Sequence, residues 1–106
     1  MAAGDWLVDH QDRVRAAWAD AMQALAQQLA AAGRHDEAAE SLDALLARDP
    51  LREAAHRDLM RAHAARGEPA RALRHYEALA TLLKREVGAA PARETVALAE
   101  TIRKAG

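Results

Sequence analysis

Five histidines are the residues of this 106-residue chain that first invite chemistry. His56 and His63 lie seven apart, two turns along one helical face, and His75 falls on the next helical segment. A zinc site needs three or four convergent nitrogen, sulfur or oxygen ligands. The tight His-x3-His and HExxH spacings are absent, so packing between helices is the expectation and no metal is assigned. Two carboxylate pairs, Asp9 with Asp12 and Glu37 with Glu40, sit near helix starts. There they complement the helix dipole, a simpler role than general acid–base work. Ser41 is the only serine and lies mid-helix, with no Gly-rich loop and no strand-to-helix elbow to expose a nucleophile. The expectation is a chain that is not an enzyme and carries no cofactor.

Basic residues offer a second chemistry. Arg57 and Arg61 are four apart and share a face, and Arg71, Arg74 and His75 follow on the next segment. Such a patch can contact phosphates. Asp58 and Glu77 interrupt it, the single tyrosine is assigned to the core, and no groove-reading motif is present. A solvated, salt-bridged face is therefore the main reading, and weak direct nucleic-acid binding through residues 57–75 is the alternative.

Composition bounds what can position these groups. The chain is one domain long. Apolar residues make up 51% of it, but 30 of them are alanine, so the large side chains available for a core are few. Alanine is the best helix former, and small residues let helices approach closely. With no cysteine there is no disulfide framework, thiolate metal site or thiol nucleophile. No apolar run approaches the ~18–20 residues that span a bilayer, and no signal-peptide pattern opens the chain, so a soluble, cytoplasmic protein is expected. The net charge of -1 gives no global pull toward nucleic acid or anionic lipid. Its distribution is uneven: residues 1–51 sum to -5, residues 52–85 to +4, and residues 86–106 to zero.

Breakers at Gly33, Pro50, Gly67 with Pro69, and Gly88 with Pro91 separate stretches of helical periodicity. Helices are predicted at about 9–32, 36–48, 51–66, 69–86 and 93–104. In the first, Val14, Trp18, Met22, Leu25 and Leu29 step by three or four and should face inward, with Gly33 as C-cap. The second should bury Ala38, Leu42 and Leu45–Leu46, with Asp36 available as N-cap. The third carries Ala55, Leu59 and Ala62 inward, and the fourth, opened by Pro69, carries Ala72, Leu73, Tyr76, Leu79 and Leu83. The last places Val96, Ala99 and Ile102 inward. No stretch alternates with period two, so no strand is predicted.

Gly33 and Gly67 are 34 residues apart, and Leu25/Leu59, Ala30/Ala64, Ala38/Ala72 and Leu45/Leu79 match at the same offset. Thirty-four is the tetratricopeptide period. After Gly33 the first unit has Ala38, Leu42 and Pro50 at the signature positions. The second keeps Gly67, Ala72 and Tyr76 but has Lys84 in place of proline, so its second helix should run on. Two such units cannot bury all their faces, and the first and last helices are expected to act as caps.

The departures from the plain repeat carry a resemblance of their own. Asp49-Pro50-Leu51 with Glu53 and His56, Leu59-Met60, Gly67, Ala72-Leu73, Tyr76-Glu77, and Glu86-Val87-Gly88 with Pro91 and Glu94-Thr95 form a spaced set. Upstream, Trp6, Gly33-Arg34 and Glu37-Ala38 also fit. With these motifs the chain resembles the bacterial transcriptional activator domain of the Streptomyces antibiotic regulatory protein type. The resemblance implies a single all-α, tetratricopeptide-like domain over 1–106, with two helical hairpins and a C-terminal capping helix. It also implies a non-enzymatic interaction module of a bacterial transcriptional regulator. A winged-helix DNA-binding domain usually precedes such a module, and no segment here reads as one. By the repeat geometry the concave face would present Asp20, Gln23, Gln27, Arg57 and Arg61, where paired guanidinium groups can hold a partner's carboxylate. The expected partners are proteins: another regulator domain, a second copy in a homodimer, or the transcription machinery, with no membrane involved. A general repeat scaffold unrelated to transcription is the rival with the same fold.

Overall fold

Each break in helical periodicity becomes a turn. In the computed structural model, which describes residues 3–106 and side chains from Trp6 onward, α1 spans Ala3–Ala31 and α2 spans His35–Arg48. They are followed by α3 (Glu53–Ala65), α4 (Pro69–Val87) and α5 (Arg93–Ala105). The described residues contain no strand. Helices adjacent in sequence pack on one another, and α1, α3 and α5 also touch in series. The result is an all-α arrangement of two helical hairpins closed by a fifth helix.

The 34-residue period is a period of backbone hydrogen bonds. Gly33 and Gly67 adopt φ of 78° and 76°, a left-handed conformation that costs glycine little. The Arg34 N–H donates to the Leu29 carbonyl at 2.8 Å, and the Glu68 N–H donates to the His63 carbonyl at 2.9 Å. These are equivalent Schellman closures of α1 and α3. Arg66 ties one turn to the other through an ion pair with Asp36 at 2.7 Å. Asp36 thus lies inside the first turn of α2 and not at its N-cap, which is Arg34. Helix α3 starts at Glu53, two residues later than predicted, because Pro50 and Leu51 form a turn. The His56 Nε2 donates to the Pro50 carbonyl of that turn at 2.7 Å. Lacking the proline of the first unit, α4 runs on to Val87 and is capped by left-handed Gly88.

Burial follows the small residues more than the large ones. On α1 the buried line is Ala19 and Ala26, with Trp18 and Met22 only half-buried beside it. Val14 and Leu25, predicted to face inward, are 55% and 44% exposed. The apolar stripe of α1 is broad, and α2 docks on its alanine edge, where helix axes can come closest. Leu42, Leu45, Leu46, Ala55, Leu59 and Ala62 complete this first cluster. A second cluster joins Met60 of α3 to Ala72, Ala99 and Ile102, with Leu73 and Tyr76 against it. On α5 Thr95 is fully buried, and Val96, predicted inward, is exposed.

This rotation of the α1 face has a measurable consequence. Ala26→Leu should destabilise the fold by about 1–3 kcal/mol through overpacking. Leu25→Ala, at the adjacent larger residue, should cost under about 1 kcal/mol. Urea denaturation of both variants checks the order, and the reverse order would contradict the packing described.

Candidate functional site

The polar face between α1 and α3 is organised by two residues, Arg52 and Asp58. The Asp58 Oδ2 accepts hydrogen bonds from the Gln23 and Gln27 amides, each at 3.1 Å. Its Oδ1 accepts from the Arg61 guanidinium at 3.0 Å. Arg52 donates to the Gln23 Oε1 at 2.7 Å and forms an ion pair with Asp20. Four of the five residues predicted on the concave face, Asp20, Gln23, Gln27 and Arg61, therefore belong to one network that fixes α1 against α3. Neither Arg52 nor Asp58 was among the predicted set. Asp58 reads in sequence as an interruption of a basic patch, and only the register of α1 on α3 reveals it as an acceptor.

Arg57 goes elsewhere. Its side chain is 19% exposed and donates to the Thr95 Oγ1 at 3.0 Å, with the Glu53 carboxylate 3.9 Å away. Glu53 accepts from the Ala92 backbone N–H at 2.6 Å and from the Thr95 hydroxyl. Ala92 is the N-cap residue of α5 and has no side-chain oxygen of its own. A carboxylate from α3 thus caps α5 from outside, at the end where its dipole favours negative charge. Glu53, Pro91 and Glu94-Thr95 appear in the sequence as separate motif residues; the structure joins Glu53 and Thr95 into a tether.

Beneath the polar network an apolar cleft of about 390 Å³ opens between α1 and α3. Ala26, Ala30, Ala62 and Leu42 line it, with Gln27 and Arg61 among the polar residues beside them. Arg61 keeps most of its guanidinium donors uncommitted, since a guanidinium has five and one reaches Asp58.

The basic patch is largely neutralised from within. Arg57 has Glu53, Arg61 has Asp58, Arg66 has Asp36 and Glu68, and Arg71 has Glu68. For Arg74 no ion pair is found among the described residues.

The three histidines meet where α3 packs on α4. The His56 Nδ1 and the His75 Nε2 are 2.8 Å apart, and the His63 and His75 rings stand edge to face with centroids 6.3 Å apart. Because the His56 Nε2 gives its proton to the Pro50 carbonyl, its Nδ1 carries the lone pair, and the His75 Nε2–H is the donor. Among the described residues no group of three His, Cys, Asp or Glu side chains has metal-ligand geometry. Burial, then the neighbouring His56 and His63, push the His75 imidazole down to about 4. Burial, with Arg71 and Arg66 nearby, lowers that of His63 as well.

These shifts carry a sign. In the unfolded chain His75 titrates near the ordinary value of about 6.5, so between that pH and 4 the unfolded state binds more protons. Stability is full above pH 6.5 and falls as the pH drops toward 4, and His63 acts in the same direction. Screening by solvent at the partly exposed ring holds the loss from His75 to about 2 kcal/mol. Denaturation midpoints across pH 7.5–4.5 should show this decline in the wild type and a flatter one in His75→Gln. An unchanged slope in the variant would contradict the assignment.

No curated protein and no solved structure shows significant similarity to the chain. The profile of the bacterial transcriptional activator domain matches residues 1–103, nearly the full length, and spans the α1–α3 face, the Glu53–Thr95 tether and the histidine cluster together. The chain belongs to the bacterial transcriptional activator domain family.

Proposed function

We propose that this chain is a non-enzymatic, cytoplasmic interaction module of a bacterial transcriptional regulator, using the α1–α3 cleft to hold a segment of a partner protein. The observation that carries this reading is an alanine-lined cleft with a fixed polar network along it. The family supplies the setting, a transcriptional activator. Small side chains leave room for a partner's apolar residue against Ala30, Ala31 and Ala65. Arg61, half-exposed and anchored by Asp58, offers guanidinium donors to a carboxylate or backbone carbonyl of that segment. Asp20, Gln23 and Gln27 extend the polar side of the site, and Arg57 supports it from the α5 side. No catalytic group and no cofactor enters this role. Gene control is delivered through a DNA-binding segment outside this module, and the partner is another regulator domain or the transcription machinery. No described helix is long and apolar enough to cross a membrane, which agrees with such a role. The internal pairing of the basic patch favours a protein partner over a nucleic-acid one.

Fusing the module to an unrelated DNA-binding protein tests this reading. A reporter bearing that protein's operator should be activated, and Arg61→Glu or Ala65→Glu, both at exposed cleft positions, should lower activation by about tenfold, the scale of one lost anchor contact. Reporter output equal to that of the DNA-binding protein alone would contradict it. So would salt-sensitive duplex binding by the isolated module that Arg74→Glu abolishes, which would favour the nucleic-acid reading.

A further inference from the structure

The first half of α1 stands clear of the rest of the fold. At 1.5 Å per residue its 29 residues extend about 43 Å, and the 14 residues of α2 cover only about half of that. Every residue from Trp6 to Ala17 is exposed. The interactions of its described side chains, Arg15 with Asp12 and the stacked rings of Trp6 and His10, stay within α1. Yet this segment carries four of the large exposed apolar residues, Trp6, Leu7, Val8 and Val14. A lone projecting helix of this length is marginal in water unless an apolar face is covered.

We propose that the cover is a second copy of this chain, the two α1 helices pairing antiparallel as a short coiled coil. This surface shares only Asp20 with the polar side of the α1–α3 site, and the inference does not rest on the function proposed above. Leu7, His10, Val14, Ala17, Ala21 and Ala24 recur at alternating steps of three and four, the a/d spacing of a heptad seam, and all six are exposed. The opposite edge of α1, Ala19 and Ala26, is the one α2 covers. Gln23 and Gln27 face α3, so the seam points largely away from the body of the fold, with Val14 alone of the six also bordering a cavity beside Arg48, Asp49 and Arg52.

Size and charge choose the partner and its direction. The larger residues occupy the first half of the seam and alanines the second. Antiparallel pairing sets Leu7 against Ala24 of the second copy, His10 against Ala21, and Val14 against Ala17, and the two-fold axis repeats each contact. Parallel pairing in register would instead stack Leu7 on Leu7 and Ala21 on Ala21, crowding one end and leaving gaps at the other. Arg13 and Asp20 flank the seam on one side. In the antiparallel register each Arg13 meets Asp20 of the other copy, giving two ion pairs across the interface. Asp20, 71% exposed, keeps acceptor capacity beyond its intrachain pair with Arg52. Six layers spanning about 27 Å make a small interface, as befits weak, reversible self-association.

Sedimentation equilibrium of the purified chain from about 1 µM to 1 mM should show the mass rise from 11.5 kDa toward twice that value. Two exposed charge reversals then test the register. Arg13→Asp alone places Asp against Asp twice, Asp20→Arg alone places Arg against Arg twice, and each variant should lose self-association by more than tenfold. An equimolar mixture restores both pairs and should dimerise like the wild type. A wild type that stays monomeric up to 1 mM would overturn the proposal, leaving another protein as the cover of α1. Variants that each self-associate unchanged, or a mixture that fails to associate, would overturn it as well.

Discussion

Helix α3 is the constraint on which the rest of the structure depends. It is among the most polar helices in the chain by sequence, EAAHRDLMRAHAA, and only Arg61 and Ala65 of its thirteen residues are exposed. A helix buried on nearly every side is ordinarily apolar all round. Here most of the buried polar groups have a partner from another element: Pro50 and His75 for His56, α5 for Glu53 and Arg57, and α1 for Asp58, while the His63 Nδ1 has none among the described residues. Unpaired, each would cost about 1–3 kcal/mol or more, so the neighbouring helices dock in one register or lose those bonds.

The two apolar clusters meet on this helix. Ala55, Leu59 and Ala62 close the cluster shared with α1 and α2, and Met60 anchors the one shared with α4 and α5. Neither hairpin therefore has a core of its own, as expected when each repeat leaves a stripe that only its neighbour can cover. The functional geometry follows from this. The α1–α3 cleft has one rigid wall, with Asp58 and Arg61 held by α3, while the far half of α1 is free of the body and available to another molecule. The fold thus divides α1 into a packed half that shapes the cleft and a projecting half that the fold itself does not cover.

Much of this was legible in the sequence. Glycine spacing, the proline at the start of α4 and the missing proline at Lys84 placed all five helices to within a few residues at most boundaries, because turn chemistry is local. The start of α1 departed most, since helix continues back through Trp6–Val8 and across Gly4 to Ala3. The inward faces of α2 and α3 followed from periodicity. Those of α1 and α5 did not, because a broad alanine-rich stripe leaves the docking angle open and Thr95 is drawn inward by Glu53. The candidate site was half legible. Repeat register places Asp20, Gln23, Gln27 and Arg61 on one face, but the acceptor that joins them is an acidic residue 35 positions from Gln23. Arg57 shares spacing with Arg61 yet turns to α5, because the tether partner arrives from a helix that the repeat pattern does not describe. The histidines were read as packing residues; His56 and His75 hydrogen-bond where α3 meets α4, whereas the buried His63 Nδ1 has no hydrogen-bond partner among the described residues.

Native-state amide hydrogen exchange tests the central role of α3 most directly. If α3 holds both hairpins through its buried polar partners, its amides from Leu59 to His63 exchange only through global unfolding. The free energy read from them then equals that from denaturant melting, and α2 and α4 lose protection in the same transition. Exchange of the α3 amides at a clearly lower free energy would contradict the account. So would α1–α2 opening as a unit while α3–α4 stays fully protected.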